Sequence, residues 1–238
     1  MNKKINPNQE MSIFEHLEEL RQRILIASIA FLMITTICFT HMKNIAYILQ
    51  QPAIGIKFLQ LAPGEYLFTS IKVSLYTGFL FSSPFIIYQI TLFILPGLTQ
   101  KESKFIIPIL FISIILFFSG IIFGYIILAP AALQFLINYG NEIVEPIWSF
   151  EQYFNFILIL LFSTGIAFQI PIIQIVLGML QIFSSTEMYK YWKYIILGAT
   201  IIAAIITPST DPVTQIIMSL AILILYSSGI IILKILNK

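Results

Sequence analysis

The 238-residue sequence predicts an all-α polytopic membrane protein with six transmembrane helices and both termini on the cytoplasmic or stromal side. Three observations carry this expectation. Apolar residues make up 58% of the chain and charged residues 10%, with a mean hydropathy of +0.94. A soluble domain of this length needs far more charge on its surface. Apolar stretches recur at the length of roughly 20 residues that a helix needs to cross a hydrocarbon core of about 30 Å. Lys and Arg gather in the connections on one side of those stretches, which orients the chain.

The chain divides into an N-terminal segment, 1–23, and a membrane domain, 24–238. Within the first, FEHLEELRQR (Phe14 to Arg23) reads as an amphipathic lead-in helix. At 100° per residue Glu15, Glu18, Glu19 and Gln22 share one face, and Ile13, Leu17, Leu20 and Ile24 the opposite one. Ser12 and Glu15 have the spacing of a capping box, which lets the helix start at Ser12. The first 23 residues do not read as a cleavable targeting peptide, because they are too polar for a secretory signal and too acidic for a transit peptide.

Spans are expected near 24–41, 71–95, 105–129, 153–180, 194–207 and 213–233. PSTDP separates the last two as a tight turn, since Pro208, Asp211 and Pro212 do not continue a helix easily. The fifth span is short: about 14 residues rise only about 21 Å. Such a helix calls for local bilayer thinning or a position buried among neighbours. The connection 42–70, with Pro52, Pro63 and Gly64, is expected to form short interfacial helices that close the outer face.

Orientation follows from the basic residues. Lys3, Lys4, Arg21, Arg23, Lys101, Lys104, Lys190, Lys193, Lys234 and Lys238 fall on the face of the termini. The opposite face holds Lys43 and Lys57, with Lys72 at its edge. Tyr189, Tyr191, Trp192 and Tyr194 suit an interfacial aromatic belt on the inner side.

Composition also excludes functions. A net charge of +2 with no basic stripe argues against nucleic acid. One cysteine, Cys38, permits neither an internal disulfide nor a thiolate metal site. Two histidines, His16 and His41, do not make a bis-histidine haem bundle. There is no phosphate-binding glycine loop or metal-spaced cluster. No Asp or Glu lies deep in a span, where ion-coupled transporters usually carry one. No catalytic residue, metal or cofactor is expected, and the chain does not read as an enzyme.

A handful of positions carry the remaining chemistry, and most of them have two readings. The acids of the lead-in helix are either a solvated face, with Glu19 and Arg23 paired at i,i+4, or a carboxylate stripe for a cationic ligand. Guanidinium meets carboxylate in a two-point fork that lysine lacks. Glu102, in FILPGLTQKES, has capping-box spacing from Thr99, and also falls on the same membrane face as Glu19. Phe93 either packs in the core or lipid, or receives a ligand's apolar part. Gln169, inside AFQIPII, either satisfies backbone groups freed by Pro171 or faces a cavity or partner helix. Asp211 is most simply the cap of the sixth span, and Gln215 is placed to bond across helices. Tyr125 and Pro130 read as a packing and kink pair.

These blocks resemble a known family. FEHLEELRQRI, SSPFIIYQITLFILPGLTQKE, FGYIILAPAALQF, STGIAFQIPII and TPSTDPVTQ stand in the order found in TatC, the multi-spanning core of the twin-arginine protein translocase. The likeness runs from about Ser12 to about Leu233. It is strongest in HLxELRxR and in the F-x-x-P-x-L-x-x-x-E block. The resemblance implies a cupped six-span bundle that binds twin-arginine signals of folded cargo on the cytoplasmic or stromal face. It implies that Glu19 and Glu102 receive the arginine pair beside Phe93, and that Arg21 and Arg23 are the basic positions of the opening motif. Gln169 matches a position that is Glu in some members, where single-span TatA- and TatB-like partners dock. Asp211 and Gln215 match the outer end of the last two spans, in a segment one residue longer than the TPPD form. Self-association in a receptor complex and a drive from the transmembrane proton gradient are further implications.

Richness in Ile, Phe, Lys and Asn points to an AT-rich genome, which favours a plastid thylakoid protein over a bacterial cytoplasmic-membrane one. Two rival functions are set against the receptor. A small-solute transporter requires polar residues along a path. A passive assembly subunit of an energy-converting complex requires Glu19 and Glu102 only for assembly.

Overall fold

The computed structural model describes residues 13–94, 100–140, 147–179, 181–207 and 211–235. Ten α-helices account for nearly all of them: α1 (Ile13–Thr40), α2 (Met42–Gln50), α3 (Glu65–Ile94), α4 (Gln100–Phe123), α5 (Ala129–Gly140), α6 (Phe150–Ala167), α7 (Ile170–Met179), α8 (Ser185–Lys190), α9 (Trp192–Ile206) and α10 (Pro212–Ile235). Two short strands, β1 (Lys57–Leu59) and β2 (Ile147–Ser149), pair in parallel with Phe58 opposite Trp148.

Helices dominate because a chain in lipid must satisfy its backbone within each segment. The lead-in and the first predicted span are one continuous helix, α1. No proline or glycine interrupts Ile13–Thr40, so polar and apolar parts share one hydrogen-bond ladder. Among the described residues five helical stretches are long and apolar enough to cross a membrane: Phe14–Thr40, Glu65–Phe93, Ile107–Tyr139, Phe150–Met179 and Pro212–Ile235. The fifth expected span corresponds to α9, whose 15 residues fall short of that length.

The third expected span, 105–129, runs eleven residues further than anticipated, to Gly140. Pro130 does not stop it, because a π-helical turn at Gly124–Leu128 links α4 to α5. Such a bulge resets the ladder just before the residue that lacks a donor. The fourth expected span is instead split. α6 ends at Ala167, whose carbonyl is denied a partner by Pro171, and α7 restarts at Ile170.

α6 is the centre of the core. Its Phe154, Ile157, Leu158, Leu160 and Leu161 are buried against Leu128, Leu133, Val73, Ala203 and Met218. A smaller cluster joins Met188 of α8 to Ile230 and Leu233 of α10. α1 stands apart: it packs along α3, and most of its apolar side chains are exposed. In a bilayer that surface faces lipid or another protein.

The connection 42–70 forms α2 and a single 3-10 turn, as short interfacial helices were expected, and adds the unanticipated strand β1. Two tyrosines hold it down. Tyr125 donates its hydroxyl to the Ile48 carbonyl at 2.6 Å, and Tyr153 donates to the Leu49 carbonyl at 2.6 Å. Both acceptors lie in the last turn of α2, where helix carbonyls run short of internal donors, although the Ile48 carbonyl also accepts the Gln51 N–H.

Candidate functional site

The seam between α1 and α3 gathers several of the residues singled out by sequence. Along α1, His16, Glu19, Arg23 and Ala27 turn toward α3, following the i, i+3 and i+4 spacing of one helix face. Glu15, Glu18 and Gln22 stay exposed. The structure therefore takes Glu19 out of the expected four-residue stripe and sets it at the seam. Arg21 remains outside as well, pairing with Glu18 at 2.8 Å on the open face.

Glu19 and Arg23 form the i,i+4 pair expected from their spacing: Arg23 Nη2 donates to Glu19 Oε1 at 3.1 Å. The other nitrogen, Nη1, donates to Gln89 Oε1 on α3 at 3.3 Å. Gln89 is only 6% exposed. Glu19 Oε2 is buried and has no hydrogen-bond partner among the described residues. One turn from Glu19, the His16 ring stacks on Phe93 with centroids 4.3 Å apart and planes at 16°. Phe93 and Gln89, four residues apart on α3, present one face to α1. Beside Arg23 and Gln89 opens an apolar groove of about 350 Å³, lined by Ala27, Phe31, Phe79, Ile86 and Ile90.

The side chain of Glu102 lies outside the described residues, as do Thr99 and Ser12, so neither expected capping box is among them. The backbone at Glu102 is in the first turn of α4.

Gln169 sits in the break between α6 and α7 and bonds across to α4. Its Oε1 accepts from the Ser113 hydroxyl at 2.5 Å, and its Nε2 donates to the Ser113 carbonyl at 3.1 Å. The amide thus faces a neighbouring helix rather than the carbonyl freed by Pro171. Asp211 is 1% exposed and caps α10: Oδ2 accepts the Thr214 N–H at 2.7 Å and Oδ1 the Thr214 hydroxyl at 2.6 Å. Pro212 takes the first helical position, where its missing donor costs nothing. Gln215 Nε2 reaches the Thr200 carbonyl of α9 at 3.5 Å. Gln169 within the bundle and Asp211 at the start of α10 are therefore structural ties, and among the described residues neither bonds to the α1–α3 seam.

Glu65 was not anticipated. It is 4% exposed, and its carboxylate accepts four bonds: the Leu61 and Ala62 N–H groups at 2.6 and 3.0 Å, and the Ser149 hydroxyl and Glu151 N–H at 2.9 Å each. The signal was a Pro-Gly turn followed at once by an acid at a helix start. Nearby, Lys72 pairs with Glu151 at 2.5 Å. Gln89 was missed because a glutamine inside a span carries no charge to flag it. Among the described residues no group of three His, Cys, Asp or Glu side chains is arranged to hold a metal ion.

Comparison with known proteins decides the family. The family model for the Sec-independent protein translocase protein TatC matches residues 15–220. The chain belongs to the TatC family. It is therefore a Sec-independent translocase subunit of the TatC type, polytopic and helical, and not an enzyme. It is 85% identical over its whole length, and that of its relative, to an uncharacterized tatC-like protein ycf43 of Gracilaria tenuistipitata var. liui. It is 50% identical to the chloroplastic Sec-independent protein translocase protein TATC of Pisum sativum, over 93% of this chain and 64% of that one. A crystal structure described as the twin arginine translocase receptor TatC superposes with a TM-score of 0.79 at 38% identity, covering 94% of this chain and all of that one.

Proposed function

We propose that this TatC-family chain is the receptor and core subunit of a twin-arginine translocase. It binds the paired-arginine signal of folded cargo at Glu19 and Glu102, with Phe93 beside them, on the cytoplasmic or stromal face. Six spans cross the membrane with both termini on that face, α9 being the short one, and the host membrane is the plastid thylakoid. TatA- and TatB-like single-span subunits join it at the Gln169 level, copies of the chain self-associate, and the proton gradient drives transport.

One observation carries the reading. Glu19 keeps a buried carboxylate oxygen without a partner among the described residues, at a helix seam that opens into an apolar groove. A buried unpaired carboxylate oxygen is costly, and the natural donor to it is a cation. An arginine donates there with a guanidinium N–H, while the apolar stretch that follows it in a signal fits the groove along α1 and α3. The Gln169–Ser113 tie then offers a polar point that a partner helix exchanges into. The transporter alternative gains no support: among the described residues the hydroxyls of Ser70, Ser74, Thr77, Thr91 and Ser163 bond to carbonyls of their own helices, and Ser163 also to the Ile206 carbonyl of α9.

The test is a titration of the purified protein in nanodiscs with an Arg-Arg signal peptide and its Lys-Lys twin. The Arg-Arg form should bind more tightly by about 1.5–3 kcal/mol, the range of a charge-assisted hydrogen bond. Glu19→Gln or Glu102→Gln should erase the difference. Equal binding of the two peptides would return both acids to helix-terminal roles.

A further inference from the structure

The pairing of Glu19 with Arg23 is incomplete in a specific way. A guanidinium left alone with a carboxylate one helical turn away tends to close a fork, with two nitrogens on two oxygens. Arg23 does not. Its Nη2 reaches Glu19 Oε1 at 3.1 Å, while Nη1 is turned to Gln89 Oε1 at 3.3 Å. The assignment of that amide is not ambiguous, because arginine only donates and so must meet the oxygen. The result is Glu19 Oε2, buried and without a partner among the described residues. Gln89 is itself buried on α3, so its side chain is held in place by packing.

We infer that Gln89 is a positioning residue that keeps Glu19 half open by withholding the second nitrogen of Arg23. This rests on the receptor reading above. Arg23 is then a resident guanidinium that occupies one oxygen and screens it, and the second oxygen stays available for the signal's arginine. Without the Gln89 acceptor, Arg23 closes on both oxygens and becomes an internal competitor for the ligand. The device also contributes to arginine selectivity. The incoming donor must reach a recessed oxygen beside an existing cation, a task for a planar, weakly hydrated guanidinium rather than a compact, strongly hydrated ammonium.

The experiment is the same Arg-Arg peptide titration in nanodiscs, run on Gln89→Met, Gln89→Glu, Arg23→Gln and the Gln89→Met/Arg23→Gln double variant. Gln89→Met removes the acceptor at nearly constant length and should weaken binding about tenfold, the worth of one charge-assisted bond. Arg23→Gln should bind at least as well as the wild type. The double variant should recover the affinity of Arg23→Gln alone, a rescue that a packing defect would not give. Gln89→Glu keeps and strengthens the acceptor and should bind as tightly as wild type or tighter, which keeps the test decisive even where Gln89→Met does not fold. Unchanged affinity in Gln89→Met, a loss that persists in the double variant, or weaker binding by Gln89→Glu would overturn the inference. If the wild type itself fails to prefer the Arg-Arg peptide, or Glu19→Gln leaves that preference intact, the receptor reading fails instead.

Discussion

Gly78 of α3 lies against Thr35 of α1 so closely that a methyl group on it would stand 2.8 Å from the Thr35 Cα. Real side-chain carbons do not approach a backbone that closely, so the helices meet here only because position 78 has no side chain. α1 depends on this seam more than other helices depend on theirs, since little of its surface is buried elsewhere. Gly78→Ala should cost about 1–3 kcal/mol, the usual penalty of overpacking a close contact. It should also move α1 away from Gln89 and weaken Arg-Arg peptide binding in parallel. Gly198→Ala on α9 is the control. A methyl there meets nothing within 4 Å, so the change should be neutral or stabilising by up to about 1 kcal/mol through helix propensity. Thermal unfolding in micelles, paired with peptide titration, separates the two.

The reciprocal bonds between Gln169 and Ser113 make a second prediction. In a membrane such interhelical bonds are worth on average about 0.6 and at most about 1.7 kcal/mol. Gln169→Leu and Ser113→Ala should each destabilise by about 1 kcal/mol, and the pair should be less than additive in a double-mutant cycle. Gln169→Glu should be tolerated better than Gln169→Leu, because a protonated carboxyl both accepts from the Ser113 hydroxyl and donates to the Ser113 carbonyl. Equal losses for Glu and Leu would show that the amide packs rather than bonds.

How far this was legible in the sequence depends on whether the deciding interaction is local. The helical class, the continuous apolar stretches and the cap at Asp211 follow from periodicity and from neighbours within one turn, and all were readable. So was the Glu19–Arg23 pair, four residues apart. The split at Phe168 was half readable: Pro171 was noted as freeing the Ala167 carbonyl, but not that the helix would divide there. What was not readable depends on distant segments. Gln89 reaches Arg23 across 66 residues and Glu65 reaches Glu151 across 86. Strands β1 and β2 pair although one follows the first span and the other precedes the fourth. Pro130 misled because a π turn upstream is a tertiary adjustment, not a propensity.

Tyr153 offers a test of the outer end. Its hydroxyl is buried and donates to the Leu49 carbonyl, while its ring lies among Phe58, Trp148 and Phe154. Tyr153→Phe keeps the ring and removes the donor, and should cost about 1 kcal/mol. The loss should be local. Hydrogen exchange should rise in residues 42–50 and stay level in α10. Adding Tyr125→Phe should deepen the effect on the same residues, because the Ile48 carbonyl then loses its side-chain donor too.

The last prediction concerns pH and the short helix α8, outside the spans. Ser184 and Glu187 form a reciprocal capping box: the Ser184 N–H donates to Glu187 Oε2 at 2.9 Å, and the Glu187 N–H donates to Ser184 Oγ at 3.3 Å. The Ser184 backbone bond, then its hydroxyl bond, hold the Glu187 carboxyl below its ordinary value, with Lys190 helping. A carboxylate depressed in the folded state stabilises it above the unfolded value, and that contribution disappears as pH falls through the folded one. α8 should therefore exchange faster, after correction for intrinsic rates, as pH drops from about 7 into the acid range below about 4. Because Tyr226 donates to the Met188 carbonyl at 3.1 Å, and Met188 packs on Ile230 and Leu233, the fraying should extend into the end of α10. Glu187→Gln should show the lower protection already at neutral pH and lose the acid dependence. A wild-type α8 whose protection is flat across that range would show that the box is held by its neutral bonds alone.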